Sequence, residues 1–202
     1  VNIPHRKTLA ARLVRHYRNA SEDTVVLGRN WYSKAYSVAC DLAQEFDITV
    51  TQAAYVIAAL SPNVAWPHNV ASAQHACSGH KAGVAPSEYK GAGYGSNKAK
   101  AGRILNGDLT ALSGPKVTQF AEGILGNPQA CTVDVWMQRA VGLDATIPDS
   151  VNTMIRKAIY SAAKSVGETP KDFQAIVWTQ VRNEHHSRDE NYRQRYLLDV
   201  AE

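Results

Sequence analysis

The chain lacks any apolar run approaching the roughly 18 residues that a membrane span needs, and no signal-peptide pattern is visible in it. A membrane partner is therefore not expected. Cysteine is scarce: Cys40, Cys77 and Cys131 lie far apart and are odd in number, which argues against a disulfide framework and for a reducing, cytoplasmic setting. There is no repeat, no low-complexity tract and no biased linker. Strand signals are almost missing too, so the fold class expected is all-α.

What is present fits a globular protein. The chain has 202 residues, 45% of them hydrophobic and 20% charged, enough for one large domain or two small lobes sharing a core. We take residues 1–202 as a single domain and expect a monomer. The formal charge is +4 and the basic residues gather at His5-Arg6-Lys7, at 12–18 and at 90–103. Such clusters suit a polyanion partner, and they equally suit solvated helix faces.

Apolar residues recur at helical spacing over 8–17, 31–46 (after Gly28), 51–60, 67–77, 97–105, 116–125, 133–141, 151–166, 170–184 and 190–201. Thr51 is the expected cap of the third helix, and Ser61-Pro62 closes it. Thr169 caps the ninth, with Pro170 at its first position. The long connection is 81–96, whose glycine-rich GAGYGSNK stretch reads as a DNA-backbone loop or an ordinary flexible one, and it lacks the preceding strand of a nucleotide-binding loop. His75, Cys77 and His80 have metal-ligand chemistry, but their spacing matches no standard zinc pattern. Cys131 reads as a small buried apolar residue, and His185-His186 as solvated.

The most informative stretch is GPKVTQFAEGILGNPQACTVDVWMQR, residues 114–139. Asp134 stands there among apolar residues, and an ionised carboxylate is costly to bury unless paired or used. It is either the N-cap of a helix, for which aspartate is favoured, or the working end of a site. Upstream, Gly114 and Pro115 form a tight turn and Lys116 opens a helix. That is a helix-hairpin-helix outline, in which turn amides and a helix N-terminus grip a phosphate without reading a base.

At these residues the chain resembles the helix-hairpin-helix (HhH-GPD) superfamily of base-excision DNA glycosylases. Gly114, Lys116, Val133, Asp134 and Arg139 fall on that family's hairpin and its Val-Asp-x-His-Val-x-Arg motif. YGSNKAKAGRIL (94–105), IAALSPNVAWPHNV (57–70) and DFQAIVWTQVR (172–182) resemble further family segments, so the likeness runs over about residues 52–182. The pattern departs in three places: the hairpin LSGPK (112–116) is short, Trp136 replaces a histidine, and Asn63 replaces a glutamine. The family's four-cysteine motif is missing, so the resemblance implies no iron–sulfur cluster, and no cofactor or metal is expected. The short length is closer to compact bacteriophage offshoots of the fold, some of which act on hypermodified thymine.

The resemblance implies two helical lobes around a cleft, a DNA partner, and cleavage of the N-glycosidic bond of a modified or damaged base. Asp134 would stabilise positive charge on the sugar or orient a water. Lys116 would be the attacking amine of an AP-lyase step or a phosphate contact. A flipped base leaves a hole that a side chain must fill; Asn63 is the candidate, with Trp66 and His68 on the same loop. Trp136 would stack on the extruded base or belong to the core, and Trp66 has the same two readings. Gly114, Lys98, Lys100 and Arg139 complete the expected DNA contacts. The alternatives are a non-catalytic DNA-binding module of the same fold and a transferase acting on hypermodified thymine in phage DNA.

Overall fold

The computed structural model describes residues 4–143 and 147–186. Among these residues there is no strand, and nine α-helices follow one another: α1 (Arg6–Asn19), α2 (Glu22–Phe46), α3 (Val50–Leu60), α4 (Trp66–Lys81), α5 (Gly95–Leu105), α6 (Pro115–Ile124), α7 (Val135–Ala140), α8 (Asp149–Val166) and α9 (Pro170–His186). The protein is all-α, as its periodicity predicts. The helix expected over 190–201 lies outside the described residues. The chain divides into two units, Val1–Tyr32 with Pro128–Glu202, and Ser33–Asn127, the first break falling within α2.

In the first unit α8 is the organising helix. Val151, Ile155, Ala158, Ile159 and Ala162 recur every three or four residues and are buried, giving one apolar stripe. It packs against α1 and α9, where Leu9, Leu13, Phe173 and Val177 join the same core. Each fully buried large side chain stabilises the fold by about 1.5–3 kcal/mol relative to exposure. Gly167 ends α8 in the left-handed conformation at φ 77°. Thr169 then caps α9, its Oγ1 accepting from the Asp172 amide at 3.1 Å.

α2 begins at Glu22 and runs through Gly28, where the sequence suggested a break. The reason is packing: a Cβ on Gly28 would stand 2.6 Å from Ile176 Cα of α9, so the glycine is there to let two backbones approach. At the end of this stretch the buried Tyr32 hydroxyl donates to Gln174 Oε1 at 3.0 Å and lies 3.2 Å from Thr132 Oγ1. These contacts satisfy polar groups that would be costly alone in a core.

In the second unit α3 is the centre. Seven of its residues, from Ala53 to Leu60, are buried, and α4, α5 and α6 all pack on it. Its cap is Thr49, two residues earlier than expected. Thr49 Oγ1 accepts from the Gln52 amide at 3.1 Å and Gln52 Oε1 accepts from the Thr49 amide at 3.0 Å, a capping box that Thr51 could not make. Gln52 Nε2 also donates to the carbonyls of Ile104 and Leu105 at 3.2 and 3.1 Å, tying α3 to the end of α5.

Between α5 and α6 lies a single 3₁₀ turn, Leu109–Ala111. Asp108 caps it, accepting from the Thr110 amide at 3.1 Å. Hydrogen bonding from the Thr110 hydroxyl, and then from the Arg103 guanidinium, holds the Asp108 carboxyl below its usual range. The expected helix pair around LSGPK is thus a 3₁₀ turn followed by α6. α5 and α6 both lie on α3.

Candidate functional site

Asp134 is the N-cap of α7. Its backbone is extended (φ −106°, ψ −172°), and one carboxylate oxygen, Oδ1, accepts from the amides of both Trp136 and Met137 at 3.0 Å. This satisfies two of the orphan donors that open any helix. Trp178 of α9 donates its indole Nε1–H to the other oxygen, Oδ2, at 2.8 Å. The carboxylate is half-buried and fixed by three donors.

Two facts position it. The preceding segment Ala130–Cys131–Thr132–Val133 is buried, and Met137 and Ala140 sink into the core on the far side of the first turn. α7 packs against α9, which brings Trp178 to the carboxylate. Aromatic and cationic groups surround the pair. The Trp178 ring lies 6.0 Å from that of Trp31, and the Arg182 guanidinium sits 4.3 Å over it. On α7 the Arg139 guanidinium lies 4.7 Å over the Trp136 ring, and the edge of His185 meets that ring at 5.1 Å.

Two of the chain's four tryptophans therefore donate to one carboxylate, each covered by an arginine, and a third, Trp31, lies beside Trp178. Such stacking holds a guanidinium flat, with its donors in the plane of the group. Trp136 is also packed against the core, the second of its two expected readings. Trp31, Trp178, Arg182 and His185 were not foreseen as members of this cluster. Trp178 and Arg182 are one helical turn apart, a spacing visible in the sequence, but nothing local connects them to Asp134. His185 is exposed, as expected, and its ring also lies against that of Trp136.

The other expected site residues lie in the second unit. Gly114, at φ 105°, precedes Pro115 at the first position of α6, and no side chain caps this helix. Lys116 follows, half-buried. It belongs to a different unit from Asp134. Asn63 is exposed and left-handed at φ 62°, a conformation that asparagine tolerates better than most residues. Its Nδ2 donates to the Tyr94 hydroxyl at 3.3 Å, and Tyr94 is 60% exposed.

Trp66 and His68 are in the first turn of α4, which begins one residue before the helix expected over 67–77, so they are not on a loop; Pro67 is compatible with the start of a helix. The glycine-rich stretch is pinned at Gly91 (φ 95°), where a Cβ would meet Ser72 Oγ at 2.7 Å. Ser72 Oγ accepts from the Ala92 amide at 2.8 Å. Lys98 Nζ donates to the Tyr89 carbonyl at 2.6 Å, so this ammonium braces the loop. Lys100 is half-buried on α5.

Cys77 is buried and His75 exposed, which places them on opposite sides of α4. Among the described residues no group of three His, Cys, Asp or Glu side chains could hold a metal ion. No described helix is long and apolar enough to cross a membrane. A model of a family of unknown function, DUF7178, matches residues 2–185. No curated protein and no solved structure matches the chain.

Proposed function

The chain belongs to this family of unknown function, DUF7178, and from its own residues we propose that it is a DNA glycosylase-like enzyme, which extrudes a modified or damaged base and cleaves its N-glycosidic bond. The observation that carries the reading is the Asp134 carboxylate, immobilised by the Trp136, Met137 and Trp178 donors. Bond cleavage builds positive charge on the sugar, and a carboxylate already fixed in place stabilises that charge without reorganising. Oδ1 serves the helix. Oδ2 accepts one hydrogen bond and retains a lone pair for the sugar or a water.

The indole rings of Trp136 and Trp178 provide the flat apolar surfaces on which an extruded base stacks. Arg139, stacked on Trp136, is the phosphate contact of this unit. In Ser33–Asn127 the uncapped start of α6, with Gly114 and Lys116, holds a backbone phosphate. Lys116 contributes charge there, or the attacking amine if the enzyme is also a lyase. Asn63 and the exposed Tyr94 bonded to it enter the duplex where the base has left.

A second reading has its own support. Because Asp134 caps α7, its presence is also explained by stability alone, and the fold would then be a non-catalytic DNA-binding module. Incubation with duplexes carrying a panel of modified and damaged bases separates the two. Released base supports the enzyme; binding to every duplex without release from any supports the module.

A further inference from the structure

The unit that contains Asp134 has a cavity that shares no residue with the Asp134 cluster. It has a volume of about 330 Å³ and is lined by His5, Arg6, Ser150, Thr153, Met154 and Lys157. Thr153 and Met154 each stand three or four residues from both Ser150 and Lys157, so the four form a single face of α8. The start of α1 supplies the opposite wall. α1 packs along α8 through the fully buried Leu9, Leu13, Ile155 and Ile159, so the core fixes the two helices while the lining residues themselves, Met154 apart, are exposed.

The described residues of the lining supply one guanidinium, one ammonium, one imidazole and two hydroxyls, and no carboxylate. Neither Arg6 nor Lys157 pairs with a carboxylate among the described residues. The first turn of α1 carries no acidic residue; that of α8 carries Asp149, which does not line the cavity. His5 Nδ1 accepts from the Lys7 amide at 3.3 Å, which places the proton of a neutral ring on Nε2 as a further donor. Arg6 and Lys157 bring like charge to one cavity, and a bound anion would be attracted to both. Two members of the His5-Arg6-Lys7 cluster, conspicuous in the sequence as a polyanion signal, thus line an open surface cavity.

We propose that this cavity binds a phosphate group carried on a compact organic body, either a free mononucleotide or one nucleotide of a strand. Arginine matches phosphate oxygens with a planar fork of donors, and lysine adds a point charge. The volume lies at the lower end of the roughly 300–1,000 Å³ typical of small-molecule pockets. Met154, packed against the core on one side, offers a deformable apolar floor to a base or sugar. The inference does not rest on the reading of Asp134, and its test uses no base release.

The test is calorimetric titration of the full chain with inorganic phosphate, deoxyadenosine, deoxyadenosine 5′-monophosphate and a short unmodified duplex. The monophosphate should bind more tightly than either phosphate or the nucleoside. Arg6→Ala and Lys157→Ala, both at exposed positions, should each weaken it about tenfold or more with unchanged melting, while Lys157→Arg should retain binding. If the duplex displaces the monophosphate and the same two variants weaken the duplex, the nucleotide comes from a strand; if the duplex does not displace it, the ligand is a free mononucleotide. The proposal is overturned if neither the monophosphate nor the duplex binds, if the nucleoside binds as well as its monophosphate, or if both alanine variants bind like the wild type.

Discussion

Trp178 Nε1 donates to Asp134 Oδ2 at 2.8 Å, joining α9 to the carboxylate that caps α7. This single bond decides where the outer oxygen points. Trp178→Phe keeps an aromatic ring and removes the donor. It should lower stability by about 1.5–3 kcal/mol, the usual net value of a hydrogen bond to a charged group. It should lower the rate of base release at saturating DNA far more than it lowers DNA affinity. Single-turnover release and binding isotherms measured side by side check this, and a variant that loses only affinity would assign Trp178 to stacking alone.

Gly28 is expected to be intolerant of any side chain. An alanine Cβ would stand 2.6 Å from Ile176 Cα and 2.8 Å from its Cγ1, and backbone cannot yield as a side-chain tip can. Overpacking of this kind costs typically about 1–3 kcal/mol. Urea denaturation of Gly28→Ala should show it. Gly126→Ala is a useful contrast: its surroundings are open, so its cost comes from the φ of 88° alone.

The thiols give a pH dependence. Burial pushes Cys77 and Cys131 up to about 12, and burial also raises Tyr17, Tyr32, Tyr55 and Tyr89. In the unfolded chain a thiol loses its proton near pH 8.5, while the folded chain keeps it. Above that pH the folded state therefore binds more protons than the unfolded state, and stability falls as pH rises. Denaturation midpoints should be level below about pH 8 and decline from there toward pH 12. At pH 8, iodoacetamide should label Cys40, which is partly exposed, and spare Cys77 and Cys131 until the chain is unfolded.

Binding to duplex DNA should fall steeply with salt, with a log–log slope of about −0.9 for each phosphate neutralised. The two lysines of α5 should now behave differently. Lys100→Ala should weaken binding on all sequences alike. Lys98→Ala removes the bond to the Tyr89 carbonyl, so it should also lower the melting temperature. Equal melting of the two variants would show that Lys98 does not brace the loop.

The helices of this protein were legible because their signals are local. The 3.6-residue stripe of α8, Thr169 before Pro170, and Ser61 at the end of α3 can all be read within a few residues. Misplaced features depend on distant partners. Gly28 looks like a breaker until Ile176 is known to press on it, and Thr49 outcompetes Thr51 because Gln52 lies at the right step from it. At the site, the sequence pointed to Asp134, Trp136 and Arg139, which sit on one short helix. It could not point to Trp31, Trp178 and Arg182, which reach that helix through the packing of α2, α7 and α9.

The most direct measurement is base release by Asp134→Asn beside the wild type, on whichever duplex of the modified-base panel the wild type cleaves. Asparagine retains an oxygen that can cap α7 while its amide loses the bond from Trp178 Nε1, so the variant should stay folded with a lower melting temperature, measured beside release. Its loss of charge should leave DNA affinity equal or improved, since a negative group near phosphates is gone. The proposed role requires release to become undetectable or at least a hundredfold slower. A folded Asp134→Asn protein that releases base at the wild-type rate would contradict it, as would a wild type that binds every duplex and releases nothing.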